Sequence, residues 1–197
     1  MTTGRGDDGT TGLLYGGERI AKDDPRTEAY GAVDEAVAAL GLARAVLSER
    51  AAAAPLPSAL ADLAVHLLRI QRELFVVGAE LATKPAARDR GEDGRTRVSA
   101  AMVAGLDELL VATEAAITMP REFVIPGETR ISAAIELART VVRRAERRTV
   151  ALSRSADPPN GHLLAYLNRL ADLLWVLARS AEQAEKRAAT PMRQPSP

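Results

Sequence analysis

Five stretches of the chain carry helical periodicity or composition, and none shows the β-branched and aromatic alternation of a strand. The second is the clearest. Leu60, Leu63, Leu67, Ile70, Leu74, Val77 and Leu81 recur at three- and four-residue spacing between Pro57 and Thr83, and Pro85 cannot continue that helix. The first starts near Pro25 with Asp23 or Asp24 as its cap, buries Tyr30, Val33, Val37, Leu40 and Val46, and ends before the run Ala51 to Pro57. A polar stretch, Ala86 to Arg97, reads as a mobile loop before a third helix from Ser99 to about Thr118, closed by Pro120. The fourth runs from about Thr129 to Leu152 on Ile131, Ile135, Ala138, Val142 and Ala145. The fifth begins beyond Pro158-Pro159-Asn160-Gly161, carries Leu163, Leu167, Leu170, Leu174 and Leu177 on one side, and ends near Arg187.

Helices of these lengths pack most simply side by side, and no fixed-period repeat signals a solenoid, so the predicted fold class is all-α, a five-helix bundle. The chain divides into a glycine-rich N-terminal segment, 1–24, a bundle domain, 25–187, and a tail, 188–197, expected to be disordered. At 197 residues and 47% apolar, one domain buries a sizeable core unaided. Cysteine is absent, which removes disulfides, thiolate metal sites and thiol nucleophiles and fits a cytoplasmic location. Met1 to Gly12 lacks the apolar core of a secretory signal, and no stretch approaches the apolar length of a membrane span.

Charge changes the picture more than composition does. The 26 basic and 26 acidic residues cancel, so no global field attracts nucleic acid and any anion must be captured by a local cluster. Two such clusters stand out. Gly4-Arg5-Gly6-Asp7-Asp8-Gly9-Thr10-Thr11-Gly12 is either a flexible terminus or a phosphate cradle of converging N–H groups; it lacks the Gly-Lys-[Ser/Thr] ending of a P-loop. Lys22, one of three lysines, follows it. On the fourth helix Arg139, Arg143 and Arg147 lie at i, i+4 and i+8, with Arg144 and Arg148 beside them, as a solvated face or an anion site. Asn168 and Asp172, four apart among leucines, form either an interhelical hydrogen bond or a ligand contact, and Asp34 and Glu35 are exposed charges or partners for the arginines.

The absences exclude other chemistry. His66 and His162 are the only histidines and neither closes a Glu-x-x-His motif, so a carboxylate-bridged di-metal centre has no ligand set. His66, amid apolar positions, reads as packed. No serine nucleophile elbow or Cys/His pair is present.

Several motifs in order resemble the PduO-type ATP:cob(I)alamin adenosyltransferase family from Gly6 to about Arg179. They are Gly6-Asp7-Asp8-Gly9-Thr10-Thr11-Gly12-Leu13, Gly17-Glu18-Arg19 with Lys22-Asp23-Asp24-Pro25-Arg26, Tyr30-Gly31-Ala32-Val33-Asp34-Glu35, Phe123-Val124-Ile125-Pro126-Gly127, the arginine-rich run from Ala138 to Arg147, and Tyr166 to Asp172. The resemblance implies a homotrimer with ATP between subunits and a cobalamin as co-substrate. By it, Gly6, Asp7, Gly9, Thr10, Thr11, Lys22, Arg139, Arg143, Glu146 and Asn168 bind ATP, its phosphates or Mg²⁺, with Glu146 the candidate side-chain contact to the metal. Arg139, Arg143, Asp34 and Phe123 are then the catalytic set. Asp34 pairs with Arg139 across the subunit boundary, and Phe123 covers the lower axial face of cobalt. Implied partners are a corrinoid reductase and an adenosylcobalamin-dependent enzyme. Gly4, where the family has Lys or Arg, and Glu128-Thr129-Arg130, where it has small residues, depart from the pattern. They keep open an alternative, a noncatalytic corrinoid or nucleotide carrier of the same fold.

Overall fold

The computed structural model of the chain describes residues 4–154 and 159–193. Its order is β1 (Thr10–Thr11), β2 (Ile20–Ala21), α1 (Pro25–Ala53), α2 (Ser58–Leu81), a 3-10 helix (Pro85–Arg90), α3 (Ala100–Ala116), β3 (Val124–Ile125), α4 (Arg130–Ser153), α5 (Gly161–Ala184) and β4 (Thr190–Pro191).

Helix starts follow their capping chemistry. The Asp24 side chain accepts from Arg26 N with Pro25 in the first turn, Ser99 accepts from Met102 N, and Asn160 accepts from His162 N and Leu163 N. Thr129 and Ser132 form a reciprocal capping box at α4. α1 overruns its expected end because residues 51–53 are alanines, the best helix formers; it stops at Ala54, which Pro55 holds extended at φ −165°.

α1, α2, α5 and α4 close a ring in which each packs on two neighbours, and α3 leans on α5 from outside. Alanines line much of the α1–α4 contact: Ala29, Ala32, Ala36 and Ala43 from one helix, Ala134, Ala138 and Ala145 from the other, all buried. Leucines of α2 and α5 fill the centre, among them Leu60, Leu67, Leu74, Leu167 and Leu174 at 0% exposure. Each such side chain contributes about 1.5–3 kcal/mol by leaving water. α3 buries only Leu106.

The stretch expected to be a mobile loop is a built structure. After the 3-10 helix, Glu92 O accepts from Arg95, Thr96 and Arg97 N, and Glu80 of α2 accepts from Val98 N at 2.6 Å and Asn160 Nδ2 at 2.7 Å. One carboxylate thereby ties α2 to the starts of α3 and α5. Burial pushes the Glu80 carboxyl above its ordinary value, against the hydrogen bonds from Val98 and Asn160.

Two short antiparallel pairs, β1 with β2 and β3 with β4, were not expected. The second corrects the reading of the tail: Thr190–Pro191 pairs with Val124–Ile125, and Met192 N donates to Phe123 O at 2.8 Å. Residues 194–197 of that tail, 1–3 of the N-terminal segment and Pro158 of the α4–α5 connection lie outside the described residues. Among the described residues, no helix is long and apolar enough to cross a membrane.

Candidate functional site

The N-terminal candidates form a hairpin. Lys22 N donates to Gly9 O at 2.9 Å. Gly9 sits at φ +77°, a left-handed conformation that favours glycine, and a Cβ on Gly6 would stand 3.0 Å from Lys22 Nζ and 3.2 Å from Thr10 O. The ammonium therefore lies directly over the turn. Arg19 closes the loop from the other strand, donating to Thr10 Oγ1 at 2.6 Å, Thr10 O at 2.8 Å and Arg5 O at 2.6 Å. Thr10 N and Oγ1 both donate to Asp8 Oδ1, which holds the exposed Asp8 carboxyl below its usual range, aided by Arg19. Thr10 is thus an internal strut, and Arg19, which the sequence singled out only within a motif, is the clasp.

The hairpin is seated on the bundle. Leu14 N donates to Ala82 O at 2.8 Å, and the buried Arg26 donates to Leu81 O at 2.9 Å and Thr83 O at 3.2 Å, at the C-terminal end of α2. Carbonyls there lack intrahelical partners, and the helix dipole adds negative potential, so a guanidinium satisfies both.

The second group gathers between α4, α5 and β3. Phe123, Arg139 and Arg143 line one cleft of about 500 Å³ with Leu110, Asp172 and Trp175. Phe123 is 80% exposed, a large aromatic held in the cleft mouth by the β3–β4 pair rather than by core packing. Glu146 and Asn168 meet at 3.2 Å and line an adjoining opening of about 480 Å³ with Arg143, Arg147 and Arg154. Arg143 borders both. One guanidinium therefore joins an aromatic-lined cleft to a cationic one.

Beyond Arg130 in its first turn, the other five arginines of α4 divide by face. Arg144 and Arg148 turn to α1, pairing with Glu35 and, at 3.5 Å, Glu28; these are the solvated ion pairs expected of a charge run. Arg139, Arg143 and Arg147 face the clefts. Arg139 also donates Nε to Glu136 Oε2 at 2.6 Å, and Glu136 reaches Arg179 of α5, itself bonded to Glu182. Sequence reasoning missed this buried trio, although Glu136–Arg139 and Arg179–Glu182 each stand at helical i, i+3 spacing.

Within one chain the candidates stay in two groups. No cleft described is lined by both the hairpin residues and the arginine row, and Asp34, exposed on α1, lines neither cleft with Arg139. Asp172 is 3.6 Å from Arg169, which also pairs with Asp107. Glu128 lines a separate opening with Glu49, Arg50 and Arg187, and Arg130 pairs with Glu49 at 3.1 Å, so the charged turn is not part of the Phe123 cleft. Among the described residues no three His, Cys, Asp or Glu side chains group to hold a metal. His66 is partly buried, its pKa lowered first by desolvation and then by Arg69, and it lines no described cleft.

Comparison with known proteins settles what this arrangement belongs to. Residues 1–181 match the family described as cobalamin adenosyltransferase. The chain belongs to that family. It is 38% identical to a corrinoid adenosyltransferase of Citrobacter freundii, over 91% of this chain and 93% of the relative. It is 40% identical to a cobalamin adenosyltransferase of Cupriavidus metallidurans, over 93% and 89%. Among solved structures, a variant PduO-type ATP:corrinoid adenosyltransferase from Lactobacillus reuteri complexed with ATP superposes with a TM-score of 0.82 at 30% identity, covering 98% of this chain and 100% of that one. Another variant of that enzyme, complexed with cobalamin and ATP, gives the same TM-score. The all-helical fold and the corrinoid adenosyltransferase assignment expected from the sequence both hold.

Proposed function

We propose that the chain transfers the 5′-deoxyadenosyl group of ATP to the cobalt(I) of a reduced corrinoid, forming adenosylcobalamin and releasing triphosphate. The observation that carries this is one cleft lined by Phe123, Arg139 and Arg143, an aromatic ring and two guanidinium groups around the same space.

Cobalt(I) supplies the electron pair. A cobalt–carbon bond forms at C5′ as the C5′–oxygen bond breaks, and that pair leaves on the triphosphate, so the protein needs neither nucleophile nor base. Its residues align and neutralise. Arg139 and Arg143 offer forked donors to the departing phosphates, where preorganised charge contributes most. The hairpin, with the Lys22 ammonium over Gly6, suits a polyphosphate. Phe123, exposed in the cleft mouth, covers the lower face of the corrinoid and keeps water from the metal.

Mg²⁺ enters with the triphosphate, and Glu146 is the carboxylate beside Arg143 and Arg147 that would reach it. Because no described cleft is lined by both the hairpin and the arginine row, the full ATP site forms between neighbouring copies of a homotrimer, with Asp34 of one reaching Arg139 of the next. A corrinoid reductase supplies the electron, and a cytoplasmic adenosylcobalamin-dependent enzyme takes the product.

The test is anaerobic: chemically reduced cob(I)alamin and Mg-ATP are mixed with the protein and the visible spectrum is followed. Conversion to adenosylcobalamin that Arg143→Ala abolishes is expected. Bound ATP and corrinoid without turnover would refute the proposal in favour of a carrier.

A further inference from the structure

Arg139 does not stand in the cleft alone. Its Nε donates to Glu136 Oε2 at 2.6 Å, Glu136 Oε1 lies 3.3 Å from Arg179 Nη2, and Arg179 Nη2 donates to Glu182 Oε1 at 2.8 Å. Glu136, Arg179 and Glu182 are 4%, 1% and 1% exposed, so three charges sit inside the bundle between α4 and α5. Removing charges from water is costly, and well-packed apolar residues of similar volume often serve stability as well or better. The network is also imperfect as a structural device, since Arg179 Nε and Nη1 and Glu182 Oε2 have no hydrogen-bond partner among the described residues.

Direction is what the network provides. Glu136 precedes Arg139 by one helical turn, and a lone carboxylate there would hold Nε in any of several orientations. Arg179, reaching across from α5, takes the other oxygen and fixes the carboxylate plane. With Nε committed to Glu136, the Nη hydrogens of the guanidinium remain for the ligand and for Asp34 of the neighbouring copy in the proposed trimer. Two of them suffice for the fork that matches paired phosphate oxygens. The Trp175 ring, 5.7 Å from the Arg179 guanidinium, borders the same cleft and supports it from the side.

We propose that Glu136 and Arg179 are positioning residues: Arg179 fixes Glu136, and Glu136 holds Arg139 so that its Nη edge meets the triphosphate of ATP. The inference rests on the proposed use of ATP and assigns the second layer of residues that makes Arg139 effective.

The test is a double-mutant cycle read by calorimetric binding of Mg-ATP, with thermal melting and cob(I)alamin turnover measured separately. Glu136→Gln keeps the shape and removes the charge. It is expected to weaken Mg-ATP binding by about tenfold in the native background and by less than about twofold when Arg139→Ala is already present, the signature of two residues acting as one. Arg179→Lys, which keeps the charge without the fork, should show the same dependence on Arg139 with a smaller loss. Equal weakening in both backgrounds, or weakening that only follows a lowered melting temperature, would overturn the inference and leave the trio a structural element. ATP binding with the expected cycle but no adenosyl transfer would sink the proposed function while leaving the positioning role standing. Turnover with an additive cycle would do the reverse, and absence of ATP binding in the native protein would overturn both.

Discussion

Arg26, in the first turn of α1 just after the N-terminal hairpin, ties that turn to the end of α2, and replacing it tests whether that seat is as firm as the geometry indicates. Arg26 is 7% exposed, and its guanidinium donates to Leu81 O and Thr83 O, both on residues that are themselves almost fully buried. In Arg26→Met the stem still packs, but two carbonyls at the end of α2 lose a charged donor. A buried acceptor left unsatisfied costs about 1–3 kcal/mol, and a cation at a helix C-terminus contributes up to about 2 kcal/mol in a partly buried setting. Because the two effects overlap at the same oxygens, about 3 kcal/mol is expected in all. For a chain of this size that lowers the melting temperature by roughly 6–12 °C. The assay is thermal and urea unfolding at fixed protein concentration, since assembly would make the midpoint depend on it. Arg95→Met serves as the control: Arg95 pairs with Glu92 on the open surface, at 78% and 61% exposure, and its loss is expected to cost less than about 1 kcal/mol. A shift for Arg26→Met no larger than that of the control would refute the reasoning.

Other outcomes follow from single contacts. Gly6→Ala puts a methyl against Lys22 Nζ and the Thr10 carbonyl; the lysine can swing away but the backbone cannot, so ATP affinity should fall while the bundle's melting temperature holds, as calorimetry and melting would show. Phe123→Ala removes a ring that is 80% exposed, so stability should change by less than about 0.5 kcal/mol while adenosyl transfer drops; a melting temperature that falls with activity would contradict the assigned role. Glu80 has a folded pKa raised above its ordinary 4.5, so the folded state binds the extra proton and this group's stabilising contribution, full below 4.5, is lost as pH rises through the folded value. The stability difference between the native protein and Glu80→Gln should therefore fall with rising pH across that window; a difference that rises there would reverse the sign of the argument.

The helices were legible because their signals are local. Leucine spacing in α2 and α5, prolines at the breaks and caps at Asp24 and Ser99 each act within a turn or two, and every α-helix boundary fell within a few residues of its expected place, while the 3-10 helix was not expected. What escaped the sequence depends on residues far apart in the chain. Glu80 reads as an ordinary helix glutamate until Val98 and Asn160 come to meet it, 18 and 80 positions later. The tail read as disordered because Thr190 and Pro191 lack a strand pattern; their partner, Val124–Ile125, lies more than sixty residues earlier. Arg19 was only a motif letter until the hairpin folded it onto Thr10.

The arginine row shows where local reasoning stops. Spacing on a helix placed Arg139, Arg143 and Arg147 together and put Arg144 and Arg148 beside them, but it gave no means of saying which stripe was a solvated face. That depended on neighbours: Glu28 and Glu35 of α1 take one stripe, while α5 presents Asn168 and Asp172 to the other. The same helix–helix contact brings Arg179 to Glu136. A reaction in which the substrate's own metal is the nucleophile leaves no triad or base to find in a sequence, only donors aimed at a departing anion. Such donors are told from surface arginines by what surrounds them: Arg139 lines a cleft with Phe123 and is held from behind by the buried Glu136 carboxylate.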